Sequence, residues 1–201
     1  MRPLAVLALV GAVGCASMRA PGLYAEPTLR LDEAQIDEQL AGLRRGSGAA
    51  AWTLGAARAS RPDVHAALRA VLDDPATDDE LRGAALWALY RAGDPLRGEW
   101  LTAATPAPSE APAYDTPPKL VHKTAPGYPR DAFQTKVEGT VVASILIDAS
   151  GRVARLHLTQ SIPPLDRAAV RCLAAWRFSP AVKDGRPVAT AASVPINFRI
   201  F

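Results

Sequence analysis

Residues 105–118 constrain the architecture most, because five of these fourteen residues are proline and no apolar period runs through them. This composition excludes a helix or a buried strand and is typical of a semi-rigid polyproline linker. At about 3.1 Å per residue, such a linker spans about 40 Å. The chain of 201 residues is long enough for a small domain on each side. We therefore expect two domains, residues 31–104 and 117–201, separated by this linker.

The charges and the motifs argue against several function classes. Residues 1–115 carry 11 Lys and Arg against 15 Asp and Glu, whereas residues 116–201 carry 12 against 5. The cations of this basic half are scattered, so we expect no nucleic-acid partner. Two cysteines cannot make a disulfide framework, and the three histidines lack metal-ligand spacing. No phosphate-binding loop or nucleophile elbow occurs, so we expect no enzyme, no cofactor and no metal site.

The first residues read as an export signal. Arg2 precedes eleven apolar or small residues, 4–14, which as a helix would cross only about half of a ~30 Å hydrocarbon core. We assign residues 1–14 to a signal peptide. The small residues before Cys15 resemble a bacterial lipobox, which implies lipidation of Cys15, with residues 15–30 as a tether. The alternative is simple cleavage, leaving Cys15 as a free thiol.

The lipobox resemblance also predicts where the protein is located. It implies a periplasm-facing lipoprotein of the cell envelope. Ala16 follows the cysteine in place of the Asp that retains some lipoproteins at the inner membrane, which favours the outer membrane.

Residues 31–104 show helical periodicity. Four helices are predicted: one from Leu31 to Gly46, one over residues 49–59, one from Pro62 to Asp74, and one from Thr77 to Gly93. A shift of 35 residues aligns residues 49–54 with 84–89, including Trp52 with Trp87. The second string resembles a helix of the HEAT-like repeats, which stack into protein-binding solenoids. A small Ala-rich helical bundle is the alternative.

The last part of the chain predicts a small antiparallel sheet with a helix. Residues 140–147 and 153–159 read as strands around an Asp148–Gly151 turn, with Ala154, Leu156 and Leu158 on the dry face of the second strand. A helix follows Pro163 and continues to Pro180. Residues 188–200 alternate as a final strand. Because Pro195 cannot donate to a ladder, this strand should lie at an edge of the sheet.

The motifs of this part resemble the C-terminal domain of the TonB family. They occur in order as Ala125-Pro-Gly-Tyr-Pro129, Val137-Glu-Gly-Thr-Val141, Ile147-Asp-Ala-Ser-Gly-Arg-Val153, Leu165-Asp-Arg-Ala-Ala169, Trp176-Arg-Phe-Ser-Pro-Ala181, Gly185-Arg-Pro-Val188 and Val194-Pro-Ile-Asn-Phe198. The resemblance implies an α+β domain with two helices on a three-stranded antiparallel sheet. In that family the last strand receives an extended peptide of an outer-membrane transporter by strand addition.

The resemblance and the strand pattern together predict the site. The expected partner-binding residues are Tyr128, Pro129, Ala189, Ala191, Ser193, Pro195, Asn197 and Arg199. We expect Trp176, Phe178 and Cys172 to be core residues. The expected partner is a TonB-dependent transporter or another envelope protein, and a homodimer through the same edge is a further expectation. The alternative function is a structural adaptor that binds through the helical segment.

Overall fold

The computed structural model describes residues 29–93 and 114–200. The predicted signal peptide, Cys15, most of the tether and most of the linker lie outside these ranges. Residues 29–93 form four helices, called here the helical unit. Residues 114–200 form an α+β structure, called here the C-terminal domain. In these two ranges no helix has the length and apolar character needed to cross a membrane.

The helical unit consists of α1 (Glu33–Arg44), α2 (Gly48–Ala56), α3 (Pro62–Asp73) and α4 (Asp79–Ala92). Three of these four helices begin at a side-chain cap, and α3 begins at a proline. Asp32 forms a capping box with Gln35, and the Asp78 carboxylate accepts from Leu81 N at 2.7 Å. All four predicted helices are confirmed. However, α2 ends at Ala56 and not at residue 59, because Arg58 takes a left-handed conformation with φ 53°.

The helical unit is a stack of two helical hairpins. Helix α1 pairs with α2 and α3 with α4, and the hairpins stack with α1 on α3 and α2 on α4. The two similar strings therefore lie on adjacent helices, with the rings of Trp52 and Trp87 6.2 Å apart. Both helices are Ala-rich and Gly55 lies against Ala88, which lets the backbones approach closely.

The C-terminal domain contains one main sheet, two small ribbons and two helices. Its elements are β1 (Lys119–His122), α5 (Arg130–Gln134), β2 (Gly139–Ile147), β3 (Val153–Gln160), α6 (Pro163–Ala175), β4 (Arg177–Ser179), β5 (Ala181–Lys183), β6 (Arg186–Val188) and β7 (Thr190–Phe198). The main sheet is antiparallel with order β3-β2-β7, while β1 pairs with β4 and β5 with β6. The predicted fold class is confirmed.

Two predicted boundaries and one predicted burial pattern in this domain are wrong. Helix α6 ends at Ala175 and not at Pro180, because Trp176 is extended and the next residues pair with β1 as strand β4. The final strand is divided: Val188 belongs to β6, and β7 begins at Thr190. Val153 is buried, contrary to the predicted alternation, because the register shifts between Leu146 and Ile147 where β2 pairs with β3.

The two parts of the molecule are packed together, and their buried apolar residues form one cluster. Helix α4 packs against α6 and also touches β3. Glu80 of α4 forms an ion pair with Arg171 of α6, and Asp79 of α4 pairs with Arg177 of β4. The contact between α4 and α6 is close because Gly83 faces the Ala174 methyl group.

The linker does not hold the two parts apart, because α4, which precedes it, packs directly against α6 of the C-terminal domain. Its last residues are also part of the C-terminal domain. Both Asp115 N and Thr116 N donate to Val182 O, at 2.8 and 3.0 Å, so this end is held against β5.

Candidate functional site

Strand β7 has one neighbouring strand and one open side. Within the described ranges it pairs with β2, from Gly139 opposite Phe198 to Ile147 opposite Thr190, and with no other strand. The helical unit packs on α6 and β3, at the other side of the sheet. The side of β7 away from β2 is called here the open edge. Its place at the border of the sheet agrees with the prediction from Pro195.

The hydrogen bonds of β2 show which backbone groups face the open edge. Pro195 lies opposite Val142, whose carbonyl accepts from the Thr159 hydroxyl of β3 at 3.2 Å. That carbonyl points away from β7, so Pro195 belongs to a non-hydrogen-bonded pair and its own backbone points outward. Outward-facing residues recur every second position along a strand. The N–H groups at the open edge are therefore those of Ala191, Ser193 and Asn197.

The two faces of β7 differ in polarity. Ile196 and Phe198 are buried on the core face, whereas Ser193, Pro195 and Asn197 are exposed on the other face. The Thr140 hydroxyl donates to the Asn197 side-chain oxygen at 2.7 Å, which joins β2 and β7 on the exposed face. The predicted site residues Ala189 and Arg199 are exposed but lie just outside β7, one before and one after it.

Tyr128 and Pro129 lie near the C-terminal end of β7, and Tyr128 has structural contacts. Its hydroxyl donates to Val137 O at 2.5 Å, and its ring meets Phe133 and Phe198 edge-on at 5.8 and 5.6 Å. Partial burial, followed by the Glu138 charge, raises the pKa of this hydroxyl. These contacts hold α5 beside the start of β2, so Tyr128 positions the surface next to the open edge.

Sequence reasoning did not single out Phe133, which is 55% exposed on α5. Its ring contacts the ring of Tyr128, which in turn contacts the ring of Phe198 in β7. Phe133 therefore places one exposed aromatic side chain beside the open edge, within reach of a peptide that would pair with β7. The α5 sequence is too short for its periodicity to show which side Phe133 faces.

The predicted core residues lie away from the open edge. Trp176 is buried, and its indole N–H donates to Thr124 O at 3.1 Å. The Cys172 thiol is buried, donates to the same carbonyl at 3.1 Å, and has a pKa that burial raises. Phe178 is partly buried against Trp176, with ring centroids 6.3 Å apart. A raised pKa makes the thiol less reactive, as expected for a structural cysteine.

Besides the open edge, this domain has a cleft next to Tyr128. This cleft of about 920 Å³ separates residues 124–132 from α6 and is lined by Tyr128, Pro129, Arg167 and Arg171 among others. It contains no grouping of metal ligands, and across residues 29–93 and 114–200 no three His, Cys, Asp or Glu side chains converge.

Comparison with known proteins identifies this part of the chain. Residues 124–200 match the family described as "Gram-negative bacterial TonB protein C-terminal". The chain carries a TonB C-terminal domain. Protein TonB of Vibrio cholerae serotype O1 is 36% identical over 88 residues, which cover 43% of this chain and 36% of that protein. Protein TonB of Xanthomonas campestris pv. campestris is 34% identical over 77 residues, covering 37% and 34%.

The chain thus spans about a third of the length of these curated relatives. A solution NMR structure of the Pseudomonas aeruginosa TonB CTD is 33% identical, with a TM-score of 0.37, and the alignment covers 43% of this chain and 89% of that one. All the residues of the open edge, with Tyr128 and Pro129, fall inside the matched TonB C-terminal domain.

Proposed function

We propose that this chain is an envelope protein that binds an extended peptide of an outer-membrane transporter by strand addition at the open edge. The single observation that carries the proposal is that β7 pairs with β2 alone among the strands of residues 29–93 and 114–200, inside a TonB C-terminal domain. Unpaired strand edges recruit extended peptides through main-chain hydrogen bonds. Ser193 and Asn197 would supply donors, and Tyr128, Pro129 and Phe133 would contact the end of the peptide.

The proposal includes a place in the envelope. Export by residues 1–14 and lipidation at Cys15 would hold the protein at a membrane with its folded part facing the periplasm. The outer membrane is the proposed site, where the transporter peptide is within reach. The chain acts by binding, with no catalytic step of its own.

Amide spectra of the full chain, titrated with a synthetic box peptide from the N-terminal segment of an outer-membrane transporter, test this proposal. We expect the resonances of Ala191, Ser193 and Asn197 to shift, because their N–H groups face the peptide. Ser193→Pro removes one of these donors and should weaken binding at least about tenfold, since a main-chain donor is lost and the strand edge is blocked.

Ser193→Ala is the matched control, because it keeps the N–H and removes the side chain only. It should bind within about threefold of the native chain, as should Asn197→Ala. Circular dichroism establishes that the Ser193→Pro chain is folded. Equal binding by Ser193→Pro and the native chain would refute strand addition at this donor, and unshifted β7 amides would refute the open edge as the site.

A second candidate function is an adaptor that binds a partner through the helical unit. A cleft of about 530 Å³ lies along α1 and α3, lined mainly by Leu43, Ala66, Ala67, Ala70 and Val71. This cleft is on the side of the helical unit away from α6. Ala70→Arg would fill it without touching β7, so an envelope partner lost from this variant and kept by Ser193→Pro would favour the adaptor.

A further inference from the structure

Arg82 of α4 is enclosed at the contact between the helical unit and the TonB C-terminal domain. Its side chain is 1% exposed. One terminal nitrogen, Nη2, donates to Asp74 O at 3.2 Å. The other two nitrogens, Nε and Nη1, are shielded from solvent and meet no acceptor in residues 29–93 and 114–200. Native proteins rarely leave charged donors unpaired in this way, because the loss of hydration is not compensated.

A second guanidinium with an unused donor belongs to a turn that is held near this end of α4. Phe178 N donates to Gly151 O of that turn at 2.8 Å. The adjacent Arg177 pairs with Asp79, one helical turn before Arg82. Arg152, in the turn between β2 and β3, also has a shielded Nη1 with no acceptor in the described part of the chain. Burial, followed by the charge of Arg152, lowers the pKa of Arg82, so the two cations repel each other. The backbone of Arg152 is held in place, because its main-chain N–H donates to Asp148 Oδ1 at 3.0 Å and Gly151 lies against Phe178.

The carboxylates around the two arginines are already engaged. Asp79 pairs with Arg177, which also donates to two backbone carbonyls. The Asp148 oxygen Oδ1 accepts from Ser150 N, Ser150 Oγ and Arg152 N, at 2.6 to 3.0 Å. Within residues 29–93 and 114–200, the charges that act most strongly on Arg82 are the guanidinium groups of Arg152 and Arg177 and the carboxylates of Asp148 and Asp79, so three cations meet two anions. One positive charge of this cluster is not balanced within it.

We propose that a chloride ion binds between Arg82 and Arg152. One monovalent anion would accept the unused N–H groups and balance the excess charge. The occupant must be small, because these nitrogens have almost no contact with solvent, so a phosphate ester or a peptide carboxylate cannot enter. Since Arg82 belongs to the helical unit and Arg152 to the TonB C-terminal domain, the bound ion links the two parts of the molecule.

Thermal unfolding of the full chain at constant ionic strength tests the site, with sodium chloride replaced stepwise by sodium gluconate. Gluconate is too large to enter. An ion that binds only the folded state raises the midpoint temperature by about 3–6 °C for each tenfold increase in chloride above its dissociation constant, for a chain of this size. Bromide should substitute for chloride, and in a bromide-soaked crystal an anomalous peak is expected between the two guanidinium groups.

The variants Arg82→Met and Arg152→Met should each abolish the dependence on chloride. Arg152 is at a turn, so its variant remains informative if Arg82→Met does not fold. The matched control is Arg61→Met, because Arg61 is paired with Glu33, Asp37 and Asp63 and has no unused buried donor. This control should keep the full dependence on chloride.

Two results would overturn the proposal. The first is the same midpoint temperature for the native chain in chloride and in gluconate, which would mean that water completes the hydrogen bonds of the two arginines. The second is a chloride dependence that persists unchanged in Arg152→Met, which would show that the ion acts elsewhere or through general salt effects.

Discussion

Gly151 and Gly185 both have positive φ in tight turns of the C-terminal domain, but their surroundings differ. Gly151 has φ 81°, and a Cβ placed on it would lie 1.8 Å from Phe178 O. Gly185 has φ 73°, and a Cβ there would meet nothing within 4 Å. At Gly151, glycine is needed both because φ is positive and because β4 lies too close for a side chain. At Gly185, glycine is needed only because φ is positive.

Gly151→Ala should therefore be much more destabilising than Gly185→Ala. The crowded site should lose about 3 kcal/mol or more, because the β2–β3 turn and β4 must separate. The open site should lose about 1 kcal/mol from the strained backbone alone. Urea unfolding of the two variants measures both values, and equal losses would show that the contact with Phe178 O does not constrain the fold.

These glycines also show how far the sequence predicts single residues. The Asp148–Gly151 turn is predictable, because Asp and Gly suit a hairpin turn locally. The contact with Phe178 is not, because it depends on β4, which the sequence pattern assigned to the preceding helix. The unused donors of Arg82 are equally invisible in the sequence, since they depend on which part of the C-terminal domain covers α4.

Among the elements, β7 and β4 differ in how well the sequence predicts them. Strand β7 is predictable as an edge because Pro195 has no backbone N–H, so a strand on that side could not accept a hydrogen bond from it. β4 is three residues long and exists through pairing with β1, nearly sixty residues earlier in the chain. The apolar stripe of α6 continues through Trp176, so helical periodicity alone placed the end of the helix too late.

Through one carboxylate, Glu80, helix α4 contacts both α2 and α6. The Glu80 oxygen Oε1 accepts from the Trp52 indole of α2 at 3.2 Å and from Arg171 of α6, whose guanidinium also stacks on the Trp52 ring at 5.3 Å. Desolvation acts to raise the pKa of Glu80, but the hydrogen bonds from Arg171 and Trp52 outweigh it, and the net pKa is lowered.

Glu80→Gln should weaken this connection in a pH-dependent way. A carboxyl whose pKa is lower in the folded state stabilises the fold above its unfolded pKa of about 4.3, and that contribution is lost as the pH falls through the folded value. The Glu80 and Arg171 side chains are each 54% exposed, so we expect a loss of no more than about 1 kcal/mol at pH 7.

The loss should shrink as the pH falls below the unfolded pKa of about 4.3, and it should vanish only once the native Glu80, whose pKa is lowered, is itself protonated. Glu38→Gln, an exposed acid of α1, has the same change in net charge and serves as the control. Urea unfolding of the three chains between pH 3 and 7 measures the difference. A loss that stays constant over this range would mean that the charge of Glu80 does not contribute.

Across the whole molecule, α2, α4 and α6 form one continuous stack. Two helical hairpins are fewer than the three repeats that an independent solenoid usually needs. Here α6 supplies the third layer, and an aromatic row continues the contact from Trp87 through Tyr90 to His157 of β3, with successive rings 5.7 Å apart. Arg167 of α6 covers the Trp52 ring at 4.3 Å. Each part thus buries a surface of the other.

This arrangement predicts that the helical unit and the TonB C-terminal domain unfold together. Tryptophan fluorescence from Trp52 and Trp87, in a chain with Trp100→Phe and Trp176→Phe, should follow the same urea transition as the far-ultraviolet circular dichroism of both parts, because the contact between α4 and α6 couples their cores. Gly83→Glu would force α4 away from α6 and leave a buried charge at the contact. In this variant the urea midpoints from fluorescence and from circular dichroism should differ by about 1 M or more. Two separate transitions in the native chain would contradict the shared core, and the sheet with its open edge would then be stable without the helical unit.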